Sequence, residues 1–254
     1  MNFFSMLRET SKPLESPFLP TMSMYYTNRL LVVFLFCFCL ASINIAKAQE
    51  NLTGFWQPQM AINYNVNPTY SHNFSIAQRI FIYEDEEVTL NTRQLDFAHF
   101  SRLKTRDNQS IGLGVQYRFR NLFNKDSENE LRFTQQFNIT NKPRNIRFGH
   151  RLRSEQRVTR TRTIHRFRYR YALDFPLQGE QLDIGESYFI GTAESLLSIA
   201  NTNLPQYDQR FTLHLGWLLN RYAKLQTGLE YRLEDYTQET EHLIFLLSSL
   251  IISL

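Results

Sequence analysis

The chain of 254 residues sets 28 Lys and Arg against 24 Asp and Glu, for a formal net charge of +4, and holds 13 Tyr, 21 Phe and two Cys. Arg8, Lys12, Arg29 and Lys47 precede Gln49 with only Glu9 and Glu15, so the remaining 24 bases and 22 acids nearly balance, and any basic excess is local. Both cysteines, Cys37 and Cys39, sit in one apolar run, which excludes a disulfide framework or thiolate site in the chain after it.

Residues 1–21 contain three prolines and mixed charge, and read as an upstream extension before a true start at Met22 or Met24. Residues 22–48 read as a signal peptide. Arg29 is the basic flank, Leu30 to Leu40 the apolar core, and Ala46-Lys47-Ala48 a cleavage site before Gln49. The run is too short to span a bilayer as a helix. Bulky Phe36 and Phe38 precede the cysteines where a lipobox needs small residues, so lipidation is not expected. Residues 49–254 then form one cysteine-free exported domain, which sheet closure and packing must hold together.

Strict period-two patterns fill that domain. Ile111, Leu113, Val115, Tyr117 and Phe119 alternate with Gly112, Gly114, Gln116, Arg118 and Arg120. Similar alternation runs through Leu131 to Ile139, Phe211 to Leu219 and Leu225 to Leu233. Stretches rich in Asn, Asp, Glu, Pro and Gly separate the patterns. Candidate strands fall at 54–65, 70–83, 88–104, 110–120, 129–140, 144–158, 161–174, 184–198, 208–220, 223–234 and 240–254. A bacterial single-chain barrel is expected to have an even number of strands, so twelve is the expectation and ten the alternative.

Many segments exceed the roughly 5–6 residues of a soluble strand and suit the roughly 9–11 of a tilted membrane-spanning one. The expected fold is therefore an all-β, antiparallel transmembrane barrel, with Tyr and Phe facing lipid or forming interfacial girdles. A secreted lipocalin-like barrel or β-sandwich is the competing architecture. It would bury the apolar face and expose the charges.

Lys142 to Arg170 holds eleven Lys or Arg and one acid. Arg147, Arg151, Arg153 and Arg157, then Arg162, Arg166, Arg168 and Arg170, fall in strand rhythm, with His165, Phe167, Tyr169, Tyr171 and Leu173 on the opposite face of the second stretch. Such a patch would suit a nucleic-acid groove in a cytoplasmic protein, but export argues against that partner. The last segment is ambiguous. His242, Ile244, Leu246 and Leu250 make one face, yet Leu243, Phe245, Leu247 and Ile251 make the other apolar too. Its position at the end favours a closing strand.

The run Gly149-His150-Arg151-Leu152-Arg153-Ser154-Glu155-Gln156-Arg157, followed by Arg166-Phe167-Arg168-Tyr169-Arg170, resembles the core of the "domain of unknown function 2490" family. Trp56, Glu130-Leu131-Arg132 with Gln135-Gln136, Glu194, Asp208-Gln209-Arg210-Phe211 and Glu230-Tyr231-Arg232 fit in order, so the resemblance covers Leu52 to Leu254. It implies an outer-membrane β-barrel of a Gram-negative bacterium, a kind abundant in the Bacteroidota, and implies no activity. Such barrels commonly end in an aromatic residue, whereas this chain ends in Leu254.

If the aromatic faces meet lipid, the opposite faces line the barrel. The expected interior network is Glu130, Arg132, Arg147, Arg151, Arg153, Glu155, Arg157, Arg166, Arg168, Arg170, Glu194, Arg210, Glu230 and Arg232, with Glu186 beside it. Paired arginines and acids would fill the barrel and hold its shape. An excess of arginine would instead favour a narrow anion-preferring channel or binding of lipid phosphate. A membrane-embedded acyl hydrolase is a third reading, with Ser154 near His150 and Glu155 the nearest candidate group. In a strand, however, Ser154 points away from Glu155. The histidines lack metal-ligand spacing and there is no glycine-rich phosphate loop, so the expectation is a non-enzymatic protein without cofactor or metal. The expected partners are outer-membrane lipid, the barrel-insertion machinery and small anions, with the chain a monomer in the outer membrane.

Overall fold

Each candidate segment becomes one strand. The computed structural model describes residues 52–254 apart from Thr202, and of Asn203 the backbone alone. The expected upstream extension, signal peptide, cleavage site and both cysteines lie outside the described residues. The strands are β1 (Leu52–Asn65), β2 (Tyr70–Tyr83), β3 (Thr92–Arg106), β4 (Gln109–Phe119), β5 (Glu130–Asn141), β6 (Arg147–Val158), β7 (Thr163–Pro176), β8 (Ser187–Ala200), β9 (Asn203–Asn220), β10 (Ala223–Glu234) and β11 (Glu241–Ser253). Neighbours in sequence pair antiparallel all the way round, and the sheet closes between β1 and β11.

That closure corrects the expected count. There are eleven strands, neither twelve nor ten, because β1 and β11 pair parallel, from Leu52 opposite His242 to Asn63 opposite Ser253. The even-number rule holds only when every pair, the closing one included, is antiparallel. One mouth carries the start of β1 and the connections 84–91, 120–129, 159–162, 201–202 and 235–240. The other carries 66–69, 107–108, 142–146, 177–186, 221–222 and the end of β11.

Local chemistry sets the turns. Asn67 Oδ1 accepts from the backbone N–H of Thr69 at 2.9 Å and of Tyr70 at 2.8 Å, an Asx-type bond that reverses the chain after β1. Asp85 and Glu86 take left-handed φ values of 50° and 65° between Glu84 and Glu87, which exchange backbone hydrogen bonds. Two glycines admit large rings to the interior. A Cβ at Gly114 would strike the Phe100 ring, and one at Gly216 the Tyr188 ring.

The alternation resolves into two unlike surfaces. Leu113, Val115, Phe133, Leu152, Phe167, Leu213 and Leu229 are exposed on the outside of the barrel. Arg118, Glu130, Arg132, Glu155, Arg157, Arg166, Asp208, Arg210 and Arg232 are buried. The usual arrangement, apolar within and charged without, is reversed, and few buried side chains are apolar.

The exception lies beside the closing seam. Phe55, Leu243 and Phe245 form a buried cluster, with Phe81 and Leu247 packed against it. Phe55 stands 4.8 Å from both Phe81 and Phe245 between ring centroids. This explains why β11 is apolar on both faces: Leu243, Phe245 and Leu247 point inward while Ile244 and Leu246 point outward.

The parallel seam is open to direct test. Met60 and Leu250 are register partners across it, so cysteines placed at both, with Cys37 and Cys39 replaced, should form a disulfide under mild oxidation. Met60→Cys with Leu246→Cys should not, since four residues of strand separate Leu246 from the partner position. A reductant-sensitive gel shift in the second pair and none in the first would contradict the register.

Candidate functional site

Period two places residues i and i+2 on one face of a strand, and this barrel uses that spacing to seat an arginine beside an acid. On β5, Arg132 Nε donates to Glu130 Oε1. On β6, Arg157 Nε donates to Glu155 Oε2 at 3.2 Å. On β9, Arg210 Nη2 lies 3.8 Å from Asp208, and on β10 Arg232 Nε donates to Glu230 Oε1. The acid-x-Arg spacing is thus repeated on four strands.

Further contacts, most of them cross-strand, join the pairs on β6, β9 and β10. Glu155 also takes Arg168 Nη2 at 2.9 Å and Arg153 Nη1 at 3.7 Å. Arg168 reaches on to Glu194 at 3.7 Å, and Arg210 reaches Glu194 at 4.0 Å and Glu234 at 3.3 Å. Arg166 approaches Asp208 at 3.4 Å and donates its Nε to Ser198 Oγ at 2.6 Å. Glu234 also lies 3.6 Å from Arg232. The result is one connected ionic chain across β6 to β10. On the neighbouring wall, Arg118 grips Asp96 with two parallel bonds of 2.7 Å each. Planar guanidinium forks suit this work because they stay charged and can bridge two carboxylates.

Three arginines meet the aromatic cluster, Arg232 in addition to its acids. Arg232 lies 3.8 Å from the centroid of Phe245, Arg79 lies 4.8 Å from the same ring, and Arg93 lies 5.3 Å from Phe55. Arg79 also donates to Gln57 Oε1 from Nε and Nη2, each at 3.3 Å. The ring faces supply a diffuse negative potential to Arg79 and Arg93, which make no ion pair among the described residues.

The structure places Glu130, Arg132, Arg151, Arg153, Glu155, Arg157, Arg166, Arg168, Arg170, Glu194, Arg210, Glu230 and Arg232 on interior faces of the barrel. Arg147 sits at the rim, half exposed, with its Nε 2.8 Å from Asp174 Oδ1. Glu186 is not on the wall. It ends the 177–186 connection, where its Oε2 accepts from the Asp183 N–H at 3.0 Å. Arg153 finds its acid in Glu155, two residues along the same strand. Sequence reasoning missed Asp96, Arg118, Asp208 and Glu234 as network members, and Arg79 and Arg93 as stacked cations. The acid-x-Arg spacing signals Asp208, and its mirror, Arg232-x-Glu234, signals Glu234.

The hydrolase candidate comes apart. Ser154 faces outward and accepts a 3.4 Å bond from Gln156 Nε2, His150 meets the Tyr169 hydroxyl at 2.9 Å, and Glu155 is buried within the barrel. Elsewhere on the outer face, Ser101 Oγ lies 3.3 Å from His72 Nδ1, which lies 3.0 Å from His99 Nε2. Among the described residues no carboxylate joins that group. At the first mouth, the Glu128 carboxyl accepts from the N–H and the hydroxyl of Thr161. It is held below the usual carboxylate range, first by the Thr159 hydroxyl and then by Thr161 and Arg160.

The chain belongs to the family described as "Protein of unknown function (DUF2490)", whose model matches residues 53–242, from the second residue of β1 into β11. No curated protein and no solved structure matches the chain.

Glu155 is the most connected acid, so its loss should be felt most. Glu155→Ala leaves Arg153, Arg157 and Arg168 crowded without their shared counter-charge, and should cost about 3–5 kcal/mol of unfolding free energy in detergent. Arg160→Ala removes a pair with Glu128 at the exposed mouth and should cost less than about 1 kcal/mol. Equal effects on urea unfolding would refute the interior network as a stabilising device.

Proposed function

We propose that this protein works in the bacterial outer membrane as a non-enzymatic β-barrel whose interior is occupied by an arginine–carboxylate network. The observation that carries the reading is the reversal of surfaces. Strands of 11 to 18 residues present apolar side chains outward and charged ones inward, around a closed sheet. A barrel with lipid outside and water or fixed charge inside has that pattern, whereas a soluble barrel needs the opposite. The signal-like stretch at 22–48 supports export to that location.

The packing of the interior bears on what the barrel does. Arg168, Glu194, Arg210 and Glu234 reach towards one another across four adjacent strands, so side chains rather than open water occupy that part of the bore. This supports a stable membrane-embedded platform over a wide general porin. Lipid and the barrel-insertion machinery are the partners the reading requires, and a monomer suffices, since the sheet leaves no edge to pair.

The processed protein should begin at Gln49, fractionate with the outer membrane and migrate faster on gels unheated than boiled. In planar bilayers it should give no large ohmic steps of the kind general porins show. Quantitative recovery in the soluble periplasm would remove the membrane reading, and steady large conductance would remove the occupied bore.

A further inference from the structure

One stretch of an inward row holds arginines without an ion pair among the described residues. Ser110 on β4 stands opposite Asn138 on β5, Asn138 opposite Arg151 on β6, and Arg151 opposite Arg170 on β7. Like charges directly opposite each other on a sheet repel. The adjacent row carries the same juxtaposition, Arg153 opposite Arg168, but there Glu155 and Glu194 lie within 4.0 Å. Among the described residues no carboxylate lies within 4.0 Å of Arg151, Arg170 or neighbouring Arg102. Glu194 stands directly opposite Arg170 in register, but its carboxyl is engaged by Arg168 and Arg210.

The walls fix Arg102 and Arg151 while leaving their forks free. Arg151 Nε donates to Asn138 Oδ1 at 2.7 Å, and Arg102 Nε donates to Ser110 Oγ at 3.2 Å. Asn138 Nδ2 also donates to Ser110 Oγ at 3.2 Å, which ties the two anchors together. Among the described residues the Nη atoms of Arg102, Arg151 and Arg170 have no hydrogen-bond partner, and Arg170 Nε is buried without one. Arg102 is exposed at the mouth that carries the 107–108 and 142–146 connections, so the row is reached from solvent. Below it, Arg153 lies 5.4 Å from the Phe100 ring, and the ionic chain begins at Glu155. This stretch of the inner wall is therefore positive, reached from one mouth and followed by paired charge.

We infer that Arg102, Arg151 and Arg170 form a binding site for a phosphoryl group at this mouth of the barrel. Three guanidinium groups, two of them anchored through Nε, present more donors than the two oxygens of a carboxylate can use, and they match the three or four oxygens of a phosphate. The bound charge would relieve the Arg151–Arg170 repulsion. The group is either free phosphate or the headgroup of a lipid, and the chemistry is the same for both. This inference rests on the interior assignment made under Proposed function.

Calorimetric titration of inorganic phosphate into the purified full-length protein in nonionic detergent tests it. Binding is expected at a Kd on the order of 1 mM or tighter. Arg151→Gln and Arg170→Gln should each weaken it by about tenfold or more, while Arg160→Gln at the opposite mouth should not change it. Heat-modifiable migration reports whether each variant has folded. Should the two buried variants fail to fold, Arg102→Gln, at the exposed edge, must still weaken binding. No phosphate binding by the wild type, or unchanged affinity in the folded Arg102 and Arg151 variants, overturns the site.

Nanodiscs separate the two sources. Displacement of phosphate by phosphatidic acid in the disc, but not by phosphatidylcholine alone, assigns the lipid headgroup. Equal binding in both assigns the free anion. A protein recovered from the periplasm would defeat the membrane reading and leave the titration standing, whereas a membrane-located protein that ignores phosphate defeats only the site.

Discussion

Pairing of guanidinium with carboxylate inside a closed sheet is the constraint on which the rest of this molecule depends. A charged side chain taken from water into a narrow barrel loses solvation worth several kcal/mol, and only a well-placed opposite charge offsets the loss. Here the offset comes from the cheapest geometry a strand has, two residues along the same face. Glu130 with Arg132, Glu155 with Arg157, Asp208 with Arg210 and Glu230 with Arg232 each meet that way. Because every arginine fork has donors to spare, the same residues also reach across strands. Local pairs thereby become a girdle that links five neighbouring strands from the inside.

The wall near the closing seam obeys a different rule. Phe55, Phe81 and Phe245 replace carboxylates as the surface against which Arg79 and Arg93 rest, while Arg232 lies over Phe245 and keeps its acids Glu230 and Glu234. An aromatic face attracts a cation without carrying a full charge that must itself be solvated. The buried ring cluster and the in-register parallel pairing of β1 with β11 occupy the same place. Closure is thus supported by apolar packing where the ladder of acids is absent.

Strand placement was legible because turn residues and period-two alternation are local signals. The segments 70–83 and 223–234 match β2 and β10 at both ends. Strand β9 begins at Asn203 rather than 208, since Pro205 and Asp208 resemble a turn; the register shifts near Ser198 and Ala200, and a proline near a strand end is tolerated. Orientation at the seam was illegible, since no residue of β1 or β11 announces whether its neighbour runs with it or against it. The inward residues could be assigned wherever alternation was strict. Asp96 escaped because the 88–104 stretch was not among the strictly alternating windows, and its bond to Arg118 depends on the β3–β4 register. Same-strand partners can be read from spacing, but partners such as Asp208 for Arg166 cannot.

The parallel seam has a consequence for how the barrel is assembled. Ten strands can be paired off as five antiparallel hairpins, each able to enter a bilayer with its internal hydrogen bonds already made. The eleventh has no such companion. On the membrane reading proposed above, strand β11 enters beside β10 on one flank and waits on the other for β1, the earliest-made strand, to come round. The last backbone groups to be satisfied are therefore those of the first and final strands together. An assembly intermediate held open at that edge would expose Phe55 and Phe245, and the rings that later seat arginines would first serve as the adhesive faces that draw the two margins shut.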